Sequence, residues 1–334
     1  YPLRRQRQMC IRDRHQIDSA KLDTAINKYF VGSILNAAGY PFSRKHWEKI
    51  ITSIQIKAVT EGSKTPILYG IDAIHGANYT VGATLFPQQI GLAATWNPEI
   101  VEEAASITAY DVSASGIPWN FSPVLDLARQ PLWGRFFETF GEDVYLAKTM
   151  GKAFIKGYQG KDVGHPHKVA ACLKHYVGYS YPLSGKDRTP AWIPDRMLKE
   201  YFLPTFKAAI DEGALSIMVN SGEVNGIPVH ANKELLTTIL RDEYGFEGIV
   251  LTDWEDIIKL YKEHHIASDM KEAVYLAINA GIDMSMTPND YSFNDALIEL
   301  VKEGRITESR LDESVRRILT TKQQLGLLEN PYPN

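Results

Sequence analysis

Short apolar, β-rich runs alternate with longer amphipathic ones over about 270 residues, and this order limits the fold more than any single motif. The runs are "YFVGSILNA" (29–37), "PILYGIDA" (66–73), "NFSPVLDL" (120–127), "VAACLKHYV" (169–177), "LSIMVNS" (215–221), "GIVLTDW" (248–254) and "GIDMSM" (281–286). Near-continuous apolar strands of this kind suit a parallel sheet covered on both faces. The intervening segments read as capped helices. "NPEIVEEAASITAYDVSASG" places Asn97 at the N-cap, Pro98 at the first helical position and Gly116 beyond the end. "SRKHWEKIITSIQIKAV", "DRMLKEYFLPTFKAAI", "NKELLTTILRDEY" and "SDMKEAVYLAINAG" carry 3.6-residue apolar spacing, and Pro204 is expected to bend the second of these.

This order implies an α/β fold of the (β/α)8 TIM-barrel type rather than an open doubly wound sheet, because no glycine-rich phosphate loop follows an early strand. Seven strands are readable where a closed barrel needs eight, so the expectation is a barrel lacking its first strand. The missing place would precede residue 29. There "YPLRRQRQMCIRDR" (1–14) holds five Arg against one Asp and lacks both an apolar signal core and an amphipathic pattern. We read residues 1–14 as a non-native segment, 15–326 as the barrel and 327–334 as the start of a linker.

The first fourteen residues contribute +4 to a net charge of −4, so the rest carries −8, which argues against nucleic acid as a partner. No apolar run reaches the roughly 18 residues of a membrane span. Outside the first segment the sole cysteine is Cys172, in an apolar run, and it reads as a small buried hydrophobe.

In a barrel of this type the active site collects at the C-terminal ends of the strands. Those ends carry Asp72, Asp126, Lys174 with His175, Asn220, Asp253 with Trp254, and Asp283. A lone Asp after a strand is commonly a helix cap, but several on one rim suggest a site. Carboxylates, cations and an indole together suit a sugar: carboxylates grip hydroxyls or attack an anomeric carbon, and Trp packs the apolar face of a pyranose. Glu255 and Asp256 fall where the next helix begins and are expected to serve its dipole. Glu138 and Asp143 read as loop-structuring, His75 as ordering its own loop, and the pairs His165/His167 and His264/His265 as surface histidines without metal-ligand spacing. No metal or cofactor is expected.

"GIDAIHGANYTVGATLFPQQIGLAATWNPE", "WGRFFETFGED", "CLKHYVG" and "GIVLTDWED", in this order, resemble the N-terminal barrel of glycoside hydrolase family 3. The resemblance implies a retaining, exo-acting β-glycosidase of the β-glucosidase and exo-glucanase branch, with a β-glucoside or β-glucan oligosaccharide as partner. It implies Asp253 as the nucleophile, Asp72 as the carboxylate gripping sugar hydroxyls in subsite −1, Arg135, Lys174 and His175 as hydrogen-bond donors there, and Trp254 as an aromatic wall. It implies, too, a bacterial source and a periplasmic or secreted location.

A retaining mechanism needs a proton donor about 5 Å from the nucleophile. The family's N-acetylglucosaminidases resemble "KHFPGHG" with an Asp–His dyad in the next loop. The stretch "KHYVGYSYPLSGKDRTPAWIPD" has neither, which disfavours an N-acetyl-β-glucosaminidase. In the β-glucosidase branch the donor is a Glu of a second, C-terminal α/β-sandwich domain, expected beyond "LGLLENPYPN". Within the barrel, Asp187 and Glu223 are the fallback donors. "NSGEVNG" departs from the family's "SYNxxNG" and places Ser221 where a Tyr is usual. Two readings of other classes compete: a non-catalytic sugar-binding barrel, and a Schiff-base aldolase using Lys174.

Overall fold

The structure is a computed structural model that describes residues 4–6, 17–36, 39–288 and 290–333. Eight short parallel strands form its centre. They are β1 (Arg4–Gln6), β2 (Ser33–Leu35), β3 (Leu68–Ile71), β4 (Trp119–Asn120), β5 (Ala170–Tyr176), β6 (Ser216–Val219), β7 (Ile249–Leu251) and β8 (Ser285–Met286). The sheet runs from β8 through β1 to β7 in chain order. It closes through the parallel Leu251–Met284 bridge, where Met284 N donates to Val250 O at 3.1 Å and Thr252 N to Met284 O at 3.0 Å. This is the expected (β/α)8 barrel. The gap expected at its start is filled: the backbone of Arg4–Gln6 pairs with β8 on one side and β2 on the other. The rest of the segment read as non-native, residues 1–3 and 7–14, lies outside the described residues.

Several strands are shorter than their apolar runs. The run 120–127 is regular only at Trp119–Asn120. Pro123 has no N–H for a ladder, yet the chain stays beside β5: Cys172 N donates to Ser122 O, Lys174 N to Pro123 O and Leu125 N to Lys174 O. This irregular stretch carries Asp126 up to the rim.

The helices begin where their caps place them. Asn97 Oδ1 accepts from Glu99 N and Ile100 N at the start of Pro98–Ser113, Ser43 from His46 N at the start of Arg44–Thr60, and Asp269 from Glu272 N at the start of Met270–Ala280. Around Pro204 the helix widens into a π-turn over Leu198–Phe202 before resuming as Leu203–Asp211. A proline there removes the donor that would bond back one turn, and the wider turn absorbs the loss.

The core has two layers. The larger packs helices on the outer face of the barrel. The smaller fills the interior with Leu35, Leu68, Trp119, Phe121, Cys172, Met218 and neighbours, and Ile318 of the last helix and Leu327 just beyond it join it. Cys172 is fully buried there, as its apolar run implies. Gly70 belongs to this packing, since a Cβ would lie 2.0 Å from Phe121 Cζ. Among the described residues no helix is long and apolar enough to cross a membrane.

Candidate active site

Asp253 follows β7 and lies 8% exposed at the barrel mouth. Its Oδ1 accepts from Trp254 N at 2.5 Å, and its Oδ2 lies 3.0 Å from Ser221 Oγ, which follows β6. Two basic side chains approach Oδ2 without bonding to it: Arg188 Nη2 at 3.8 Å and His175 Nε2 at 3.9 Å. Burial raises the pKa of this carboxyl, but the charges of Arg188, Arg135 and Lys174 and the Trp254 N–H together hold it below the usual carboxylate range. Asp253 is therefore an anion at neutral pH.

Asp72, after β3, accepts from Lys174 Nζ at 2.8 Å and from Asn36 Nδ2 at 2.7 Å, while its own N–H donates to Asn36 Oδ1. Lys174 is almost entirely buried and Asp72 partly open to the mouth. Trp254 is half-buried and packs against the interior cluster.

His175 is held from both sides. Arg135 Nη1 stands 3.0 Å from Nε2, and a guanidinium can only donate, so Nε2 accepts and the proton sits on Nδ1, facing Asp126 Oδ2 at 2.8 Å. Burial, with Arg135, Lys174 and Arg188 nearby, keeps His175 well below its ordinary pKa and neutral. Burial likewise pushes Asp126 up to about 8, against the lowering pull of the His175 N–H. The pair thus brings little net charge to the site, and the positive field at Asp253 comes from Arg188, Arg135 and Lys174. Arg135 itself is fixed by a two-pronged bond to Glu138, at 2.9 and 2.7 Å.

The structure brings together all six residues singled out for the site, and it alters some assignments around them. Both His175 nitrogens are engaged within the protein, so it orients Arg135 rather than offering a free donor. Glu138 does more than structure its loop, since it aims Arg135. Asp143 is a helix cap, accepting from Leu146 N, and His75 Nδ1 bonds Phe86 O inside its own loop. Asp256 is not a solvated helix-end charge. It is 2% exposed, bound by Lys259 at 2.6 Å and by Ser221 at 2.6 Å, with His230 at 3.5 Å. His264 is not on the open surface but pairs with Glu223 at 2.6 Å, whereas His165 and His167 are exposed as expected. Asp283 precedes β8 instead of ending it and faces away from the mouth, while Asn220 accepts from Gly222 N in its own loop and donates to Val177 O in the loop after β5.

Sequence reasoning missed Arg188. It sits in the middle of a polar loop, and its φ of 60° and its reach across to Asp253 leave no periodic trace in the chain. The fallback donors are both occupied: Asp187 accepts from Trp133 Nε1 at 2.9 Å, and Glu223 holds His264. Among the described residues no group of three or more His, Cys, Asp or Glu is placed to hold a metal ion.

The model of the glycosyl hydrolase family 3 N-terminal domain matches residues 7–321. The chain belongs to glycosyl hydrolase family 3. It is 52% identical over 323 residues to a lysosomal β-glucosidase of Dictyostelium discoideum, covering 92% of this chain and 39% of that protein. It is 36% identical over 296 residues to a β-xylosidase of Formosa agariphila, covering 84% of this chain and 41% of that one. Among solved structures, a β-glucosidase involved in saponin metabolism from intestinal bacteria superposes with a TM-score of 0.86 at 37% identity, over 99% of this chain and 41% of that one. The chain spans about two fifths of the length of these relatives. With an amoeba among them, they give no support to the expectation of a bacterial source.

Proposed function

We propose that this family 3 barrel is the nucleophile-bearing half of a retaining, exo-acting β-glycosidase that removes terminal β-D-glucosyl residues. The observation that carries the reading is Asp253: a buried carboxylate at the end of β7, kept ionised by Arg188, Arg135 and Lys174, with an indole beside it. Its carboxylate would attack the anomeric carbon to give a glycosyl–Asp253 intermediate, which water then hydrolyses. Asp72 and Lys174, bonded to each other at the open mouth, would bind the hydroxyls of the terminal sugar. Arg135, aimed by Glu138 and His175, would add a further donor, and Trp254 would cover the sugar's apolar face.

The proton donor is assigned to the length that the relatives have beyond this chain. The occupation of Asp187 and Glu223 supports that assignment. Glucose is favoured over xylose by the 52% identity to the Dictyostelium β-glucosidase against 36% to the Formosa β-xylosidase. The salt-bridged Lys174, bound to Asp72 at 2.8 Å, favours a structural and sugar-binding lysine over a Schiff-base aldolase.

The test is hydrolysis of 4-nitrophenyl β-glucoside and β-xyloside by a protein that joins this chain to the remaining length of its relatives. Faster turnover of the glucoside, abolished by Asp253→Ala, is expected. Turnover that survives Asp253→Ala would remove the nucleophile assignment, and binding without turnover in the wild type would favour a lectin-like barrel.

A further inference from the structure

Ser221, which stands where the family pattern usually has Tyr, is the hub of a charged cluster behind Asp253. Its Oγ accepts from Arg188 Nη1 at 3.0 Å and lies 2.6 Å from Asp256 Oδ2 and 3.0 Å from Asp253 Oδ2. A hydroxyl has one proton and can donate to only one carboxylate at a time. Two buried anions thus flank one serine, an arrangement that costs free energy unless cations offset it. Lys259 serves Asp256 at 2.6 Å, and Arg188 serves both anions, with Nη1 at 3.4 Å from Asp256 and Nη2 at 3.8 Å from Asp253.

Arg188 is held in this place by its backbone. The loop after β5 and the loop after β6 are bonded into one wall: Ala191 N donates to Glu223 O, Asn225 N to Ala191 O, and the Asn225 amide bonds Ile193 through both its N–H and C=O. The small hairpin Glu223–Val224 and Ile227–Pro228 stiffens the same wall. Gly222 lies beside the backbone of residues 188 and 189, where a Cβ would stand 3.4 Å from Thr189 O.

We infer that Arg188 is a positioning residue for Asp253, seated by Ser221 and Asp256 so that its charge faces the nucleophile without occupying the oxygen lone pairs. The inference rests on the reading of Asp253 as the nucleophile. The distances carry it, because 3.8 Å is too long for a hydrogen bond and short enough for a strong charge interaction at a buried group. The other charged or titratable groups that face Asp253 are Arg135, Lys174, neutral His175, Tyr179, His230 and Asp256. Of the charges that lower Asp253, Arg188 comes first. A tyrosine in place of Ser221 would offer one hydroxyl to the nucleophile. The Arg188–Ser221–Asp256 cluster instead offers a full positive charge, balanced from behind by a second carboxylate.

The experiment uses this chain as it stands and a sugar whose departure needs no proton donor, 2,4-dinitrophenyl 2-deoxy-2-fluoro-β-D-glucoside. An Asp253 oxygen bonds to C1 while the C1–O bond breaks, and dinitrophenolate leaves with the electron pair as an anion. Labelling is followed by dinitrophenolate absorbance and by the mass added to Asp253, across pH. Arg188→Gln is expected to slow labelling at neutral pH roughly tenfold or more and to move the acid limb of the profile up by about one pH unit. Arg188→Lys should return part of both, and Ser221→Ala should move the limb in the same direction by less. A limb that stays in place in Arg188→Gln, whether labelling is slowed or not, overturns the inference. A moved limb in Arg188→Gln with none in Ser221→Ala overturns the seat. Failure of the underlying reading looks different: the wild-type chain then takes no label, or takes it on a residue other than Asp253.

Discussion

Two buried aspartates, at opposite ends of the barrel, are surrounded by arginines in different ways. Asp283, just before β8, is saturated. Arg241 Nη2 reaches it at 2.7 Å, Arg317 Nη1 at 2.9 Å, Ser314 Oγ at 2.7 Å and Val250 N at 3.0 Å, and its side chain is fully enclosed. Asp253, just after β7, has one short backbone bond and a shared serine, while the cation Arg188 stands off at 3.8 Å and the neutral His175 at 3.9 Å. A saturated carboxylate fixes helices to the sheet and has no lone pair left for chemistry. A carboxylate surrounded at longer range stays ionised and can still attack. Of these two aspartates, short contacts to cations mark the structural one, and a near but unbonded cation marks the reactive one.

The sharpest way to break this comparison is to remove each carboxylate. Asp253→Ala, in the protein extended to the length of its relatives, should lower kcat on an aryl β-glucoside on the order of 10⁴-fold or more and leave the melting temperature nearly unchanged. Asp283→Ala should do the reverse. It removes the carboxylate that the partly buried Arg241 and Arg317 share and should lower stability by about 3 kcal/mol in urea unfolding, while the protein still folded at low temperature takes the fluoro-sugar label at the wild-type rate. Equal loss of stability in both variants would show that the two aspartates are alike. A smaller effect is expected at the carboxylate that aims Arg135: Glu138→Gln weakens their two-pronged bond and should raise KM about tenfold with a lesser change in kcat, read from steady-state kinetics.

How much of this the sequence contains depends on whether a residue acts along its own element or across the fold. The barrel and its caps are legible, because apolar spacing and Asn97, Ser43 and Asp269 report on local bonds. Asp253, Asp72 and the Lys174–His175 pair are legible as strand-end residues, and the family motifs then give them roles. Arg188 and Asp256 are not, because their partners come from other loops and no spacing rule joins residue 188 to 221, 253 and 256. Asp283 shows the opposite failure: an Asp beside an apolar run looks the same in the chain whether it starts the strand or ends it. Only the register of β8 against β7 tells which. The first strand was also hidden, since three residues in a polar, arginine-rich segment carry no apolar run.

The same structural end of the barrel holds a lysine that has no carboxylate partner among the described residues, and it gives the smallest and most pH-specific test. Lys322, on helix Glu308–Gln324, is 2% exposed and donates to Pro66 O at 2.7 Å, just ahead of β3. Burial lowers its pKa from 10.5 to about 7. Between about pH 7 and 10.5 the unfolded chain therefore holds a proton here that the folded one does not, and stability rises with pH through that window. Below pH 7 both states are protonated and the full cost of the buried ammonium remains. Lys322→Met should consequently stabilise the protein by about 1–3 kcal/mol at pH 6, offset in part by the carbonyl left without its donor, and the advantage should shrink as pH approaches 10. Urea unfolding of both forms at pH 6, 8 and 10 reads this directly. A difference that stays constant across the three would mean that Lys322 keeps its proton in the fold, so that a lone carbonyl at this end of the barrel can hold a charge that at the mouth takes a cluster to offset.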